Sequence, residues 1–127
     1  MRLLFAIIIL ALNSALGFGQ VAEFSLKQSV HKFPSTNEGK VLEHEFVFTN
    51  TGTIPLIFDG YSVACTCTKL ILPETPIQPG KQGVIKLTFD TEGKSFYQDR
   101  IIYLKTNTKK KTEKLRIKVY VEPKPIK

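Results

Sequence analysis

Tryptophan is absent from this chain, methionine occurs once, and only two cysteines and two histidines are present. Cys65-Thr66-Cys67 is one residue too short for the Cys-x-x-Cys of zinc corners and thioredoxin-type pairs, and there is no second cysteine pair to complete such a site. There is no carboxylate cluster, no Gly-x-Ser-x-Gly elbow and no glycine-rich loop leading into a helix, so the chain reads as non-enzymatic. Long apolar runs are also missing. The longest, Leu3 to Leu12, is about ten residues, half of what a membrane-spanning helix needs. Arg2 precedes it and Asn13, Ser14, Ala15 and Gly17 follow, which is the pattern of a secretory signal peptide. Residues 1–19 are therefore expected to be removed, leaving Gln20 at the new N-terminus. No cysteine stands near that point, so a lipoprotein anchor is not expected. Loss of Arg2 lowers the formal charge of the whole chain, +7, by one.

What the chain does have is nine Phe, four Tyr and many Val and Ile, the residue types that suit half-buried pleated strands. Seven strand-like runs separated by turn residues follow one another, and no window longer than a strand has helical spacing. They fall within Val21–Val30, then at Lys40–Thr49, Ile54–Phe58, Tyr61–Leu72, Gly83–Phe89, Tyr97–Thr106 and Glu113–Glu122. In the fifth, Ile85, Leu87 and Phe89 share a face; in the last, Leu115, Ile117, Val119 and Val121 point inward and Arg116, Lys118 and Tyr120 outward. Asn50-Thr51-Gly52 reads as a reversal in which Asn and Gly take left-handed dihedrals, and Asp59-Gly60 as a bend. Pro73, Pro76 and Pro79 cannot donate to a ladder and place their stretch at an edge or in a loop. The expected fold is all-β: an immunoglobulin-like sandwich of about seven antiparallel strands over residues 20–123, with a short tail at 124–127.

Phe48-Thr49-Asn50-Thr51-Gly52 with Pro55-Leu56, then Cys65-Thr66-Cys67-Thr68, Pro76-Ile77, Pro79-Gly80, Phe89-Asp90-Thr91 and Thr106-Asn107, resemble the bacterial domain-of-unknown-function family fifteen-seventy-three. That family is common in secreted proteins of Bacteroidetes-type bacteria and is related to the immunoglobulin-like domains of the major sperm protein and Hydin group. The resemblance implies an exported β-sandwich with no assigned reaction. Thr66 stands where family members more often carry Gly, and a β-branched residue makes a tight turn between the cysteines harder.

Two places carry possible chemistry. Cys65 and Cys67 would project from one face of a regular strand, too far apart to bridge without a kink. They are open to four readings: a pair of thiolates for a soft ion such as Cu(I), with His31 or His44 as an added ligand; a disulfide stiffening an edge; two small buried hydrophobes; or a redox pair with Lys69 nearby. His44 shares a face with Leu42, Phe46 and Phe48 and reads as a rim histidine, and His31, beside Lys32, as solvated. The second place is the outward face of the last two strands, where Tyr103, Lys105, Arg116, Lys118 and Tyr120 set aromatic rings among cations, a composition suited to protein contact. Lys109-Lys110-Lys111 would add a basic hairpin tip. The expected function is a structural or protein-binding module of the cell envelope, periplasmic or extracellular, without a cofactor and without nucleic acid as a partner. The alternative is a periplasmic copper-handling protein using Cys65 and Cys67.

Overall fold

The computed structural model describes residues 20–126, so the expected signal peptide lies outside the described residues. Nine strands follow in order: β1 (Phe24–Leu26), β2 (Val30–Lys32), β3 (Thr36–Asn37), β4 (Val41–Asn50), β5 (Phe58–Ser62), β6 (Thr68–Ile71), β7 (Gln82–Asp90), β8 (Phe96–Thr106) and β9 (Thr112–Glu122). One sheet runs β1-β4-β7-β6 and the other β2-β9-β8-β5, with β3 also paired to β9. Apart from β2 and β3, this is the strand order of a seven-stranded immunoglobulin sandwich, β1-β4-β7-β6 packed on β9-β8-β5.

The extra strands, β2 and β3, begin at the end of the first run and continue past it. Val21–Val30 is not one strand: β1 pairs antiparallel with β4, the chain bends at Lys27–Ser29, and β2 and β3 cross to pair parallel with β9. The sandwich is therefore mixed rather than wholly antiparallel. Three further segments differ from expectation. Ile54–Phe58 is largely not strand, because Pro55 has no N–H and Leu56 makes only a single bridge, to Ile77. Asp59-Gly60 is not a bend between strands but a bulge within β5, between Phe58 and Gly60. Tyr61–Leu72 divides likewise: Tyr61 and Ser62 close β5 in one sheet, Thr68–Ile71 is β6 in the other, and the cysteines lie on the crossover.

Alternation places the core as the sequence suggests. Phe46 and Phe48 of β4, Ile85, Leu87 and Phe89 of β7, Ile102 and Leu104 of β8, and Leu115, Ile117, Val119 and Val121 of β9 are buried between the sheets. Removing such side chains from water is the main force holding the two layers together. Arg100 closes one end of this core, its guanidinium 5.7 Å from the centre of the Phe89 ring and hydrogen-bonded to Gln98 Oε1 at 2.7 Å.

Asn50 and Gly52 hold the opposite corner, for a different reason from the one their types suggest. Neither has a positive φ. Asn50 is fully buried, and its side-chain amide donates to Ile54 O at 2.8 Å and to Ile77 O at 2.9 Å, while its Oδ1 accepts from the Gly52 and Glu23 amides at 2.9 and 3.4 Å. Gly52 is needed for space: a Cβ there would sit 2.2 Å from Val21 O and 2.6 Å from Glu23 N.

Candidate functional site

In the β8–β9 ladder Tyr97 faces Tyr120, Asp99 faces Lys118, Ile101 faces Arg116, Tyr103 faces Lys114 and Lys105 faces Thr112. All of these alternate with buried positions, so Tyr103, Lys105, Arg116, Lys118 and Tyr120 do share the outer face of one sheet. They do not form one cluster. From Tyr97 to Tyr103 is six residues of strand, about 20 Å, so Tyr120 and Tyr103 mark opposite ends of the face.

At the Tyr103 end, Lys114 Nζ lies 5.7 Å from the ring centre. At the middle, Arg116 donates from Nε to Asp99 Oδ1 at 2.8 Å and from one terminal nitrogen to Oδ2 at 2.6 Å. This two-pronged bond holds the Asp99 carboxyl below its ordinary range and raises the Arg116 guanidinium, so Arg116 braces the face instead of offering a free cation. Among the described residues the only other ion pair is Lys124–Glu92, which leaves Lys32, Lys105, Lys114 and Lys118 without an acidic partner.

At the Tyr120 end the surface is concave. Between Lys32 and Thr36 the β2–β3 segment advances four residues while β9 advances three, from Lys118 to Val121. Phe33 N–H still reaches Lys118 O at 2.9 Å, but Pro34 has no N–H, and the surplus residue is pushed away from the ladder. The result is a groove of about 950 Å³ between Pro34-Ser35 and the β8–β9 surface, lined by Lys32, Lys118, Tyr97, Tyr120 and Asp99. Tyr97 is 79% exposed and meets the Tyr120 ring edge to face at 4.9 Å. Phe96, also exposed, has φ of +66°, a conformation that costs a bulky residue free energy and is enriched at functional sites. Nothing in the sequence marks Lys32 for this face, whereas counting back by twos from Tyr103 reaches Tyr97.

Cys65 and Cys67 are joined by a disulfide with Cα atoms 5.2 Å apart. The kink it requires is a turn in which Thr68 N–H donates to Cys65 O at 3.2 Å. Cys67 N–H donates to Cys65 Sγ, also at 3.2 Å. Among the described residues no three His, Cys, Asp or Glu side chains are grouped as metal ligands, and neither histidine lines the cavity beside the bridge.

The histidines meet each other instead. His31 of β2 and His44 of β4 stack across the sandwich, ring centres 3.5 Å apart and planes at 9°, with the Phe33 and Phe46 rings edge-on at 4.5 and 4.7 Å. His31 is thus half-buried, not solvated. Desolvation lowers both imidazole pKa values, and for His44 the neighbouring His31 lowers it further. The basic tip, Lys109 to Lys111, is exposed as expected, anchored by Asn107, whose Nδ2 donates to Pro55 O at 2.9 Å.

Sheet order, the split first strand and the buried interior define an immunoglobulin-like sandwich. The PapD-like domain 7 of human CEP192 is similar over 85% of this chain and 91% of that one, at 11% identity and a TM-score of 0.62. A protein of unknown function from Porphyromonas gingivalis W83 matches over 80% of this chain and 46% of that one, at 17% identity and a TM-score of 0.65. The E. coli chaperone DraB matches over 86% and 59%, at 14% and 0.53, so this chain spans about half the length of the two bacterial proteins. These likenesses concern the fold alone. The chain belongs to the family described as "Protein of unknown function (DUF1573)", whose model matches residues 24–121. No curated protein matches the sequence.

Proposed function

We propose that this is an exported, non-enzymatic binding module of the cell envelope whose docking face is the outer surface of β8 and β9, and that it receives an extended acidic segment of another envelope protein. The observation that carries the reading is the groove beside Tyr97 and Tyr120. Two rings in contact offer rigid amphipathic area, Lys32 and Lys118 supply positive charge, and the one acid lining the groove, Asp99, is already occupied by Arg116. The signal-like residues 1–19 support export. Chaperone-like relatives of the same fold support protein contact as its use.

The test is recovery of the tagged full-length protein from its own envelope after cross-linking, with Tyr97→Ala/Lys118→Glu as the comparison. A partner recovered with the native protein, lost with the variant and weakened by salt supports the reading. Equal recovery by both, or only monomer at every salt concentration, refutes it. Copper handling is the second reading, favoured by two sulfurs held together in one turn. It requires thiolates, and therefore reduction of the bridge. Stoichiometric copper in the reduced protein, absent from Cys65→Ser/Cys67→Ser, is its test.

A further inference from the structure

We propose that the Cys65–Cys67 bridge is a thiol–disulfide exchange site that accepts two electrons from a cysteine pair of another exported polypeptide. Its topology makes it a poor staple. The entropy a disulfide removes from the unfolded chain grows with the length of the closed loop, and this one spans only three residues. Both cysteines lie on the same crossover between β5 and β6, so the bridge joins neither strand to strand nor sheet to sheet. Of the two cysteines only Cys67 packs against the core, and it is only partly buried.

Its surroundings suit exchange. Both cysteines are part-exposed, Thr66 between them is exposed, and they open onto a cavity of about 360 Å³. Four charged side chains line that cavity beside them: Lys69, Lys94, Asp90 and Glu92. The two acids do not cancel the two lysines, because Glu92 is paired elsewhere and only Asp90 keeps an unpaired charge. Glu92 is held by Lys124 Nζ at 2.9 Å, and Asp90 Oδ1 accepts the Glu92 N–H at 2.9 Å. Lys69 and Lys94 have no ion-pair partner among the described residues and provide the positive field that favours a thiolate.

The two sulfurs are also unequal. Cys65 Sγ accepts the Cys67 amide N–H, a bond that strengthens when the sulfur becomes anionic. Cys65 is therefore the better leaving group, and Cys67 the sulfur that is attacked. A substrate thiolate bonds to Cys67 Sγ, the Cys65–Cys67 bond breaks, and Cys65 departs with the electron pair. The second substrate thiol, deprotonated, then attacks its own sulfur in the mixed disulfide and expels Cys67. The substrate ends as a disulfide, and this chain as a dithiol carrying the two electrons, with the two substrate protons passing to its sulfurs or to solvent.

The experiment uses the full native chain with reduced glutathione as the probe, acid quenching, alkylation and mass spectrometry. More than half of the molecules are expected to become reduced in millimolar glutathione with the far-ultraviolet circular dichroism unchanged, and the transient glutathione adduct is expected on Cys67. Reduced insulin-type peptides carrying a cysteine pair should be oxidised stoichiometrically by the native protein and not by Cys65→Ser/Cys67→Ser, which should fold. A bridge that resists native-state reduction, an adduct on Cys65 alone, or a double variant that unfolds would each overturn the proposal. None of these outcomes bears on the docking face.

Discussion

Replacing Asn50 by alanine should destabilise this domain more than any other single change to a polar side chain. The buried amide makes three short hydrogen bonds, to Ile54 O, Ile77 O and Gly52 N–H, and one longer bond to Glu23 N–H. Each short bond contributes about 1 kcal/mol net, and partners left dry cost more than the bond itself, so the expected loss is about 3 kcal/mol. Against a total of about 5–15 kcal/mol, that is a large fraction, and it corresponds to a fall in Tm of about 12–24 °C for a domain of this size. Asn50→Asp separates hydrogen bonding from packing, because it preserves shape and acceptors but loses both donors and turns a carboxylate toward two carbonyl oxygens. Near neutral pH it should be at least as damaging as alanine, and it should recover relative to alanine as the medium becomes acidic and the carboxyl regains a proton. Urea unfolding followed by circular dichroism at several pH values measures both. A loss below about 1 kcal/mol for both variants would show that water replaces the amide and that the corner is not held by it.

Gly52→Ala should cost about 1–3 kcal/mol, since the new Cβ meets main-chain atoms of Val21 and Glu23 that cannot swing aside; an unchanged melting temperature would mean that the N-terminal segment yields freely. The histidine stack makes stability depend on pH. Both imidazoles have folded pKa values below the ordinary 6.5, so the folded state binds fewer protons than the unfolded one; stability is complete above that value and declines as pH falls through it toward the folded values. Native protein should therefore lose more of its urea midpoint between pH 7.5 and pH 5 than His31→Gln/His44→Gln does, and equal losses would contradict this account. Asp99→Asn, at an exposed pair, should change stability by no more than about 1 kcal/mol in thermal melts, and a larger effect would mean that the face is more rigid than its exposure implies.

The last three long strands were legible because strict alternation is a local signal: Ile85-Leu87-Phe89 and Leu115-Ile117-Val119-Val121 announce their buried face without reference to anything distant. The division of the first run was not, since Lys27–Ser29 has no residue type that requires a change of sheet, and pairing with β9 depends on residues some ninety positions away. Asn50 and Gly52 were recognised as turn residues, but the reason was tertiary: a buried amide and a missing Cβ, not left-handed dihedrals. Tyr103, Lys105, Arg116, Lys118 and Tyr120 were correctly placed on one outward face, yet ladder register spread them along it and brought in Tyr97, while the groove arose from an extra residue at Pro34. His31 and His44 sit on different sheets, and no spacing in the chain foretells that they stack.

The parallel pairing of β2 and β3 with β9 gives the domain a preferred response to mechanical load. Val30 lies beside Arg116, Lys32 beside Lys118 and Thr36 beside Val121, so the chain comes into this ladder at one end and leaves it at the other. Tension applied between the two termini first strips the three-residue β1 and then pulls β2 and β9 lengthwise past each other. Their cross-strand bonds are then loaded together instead of opening one after another.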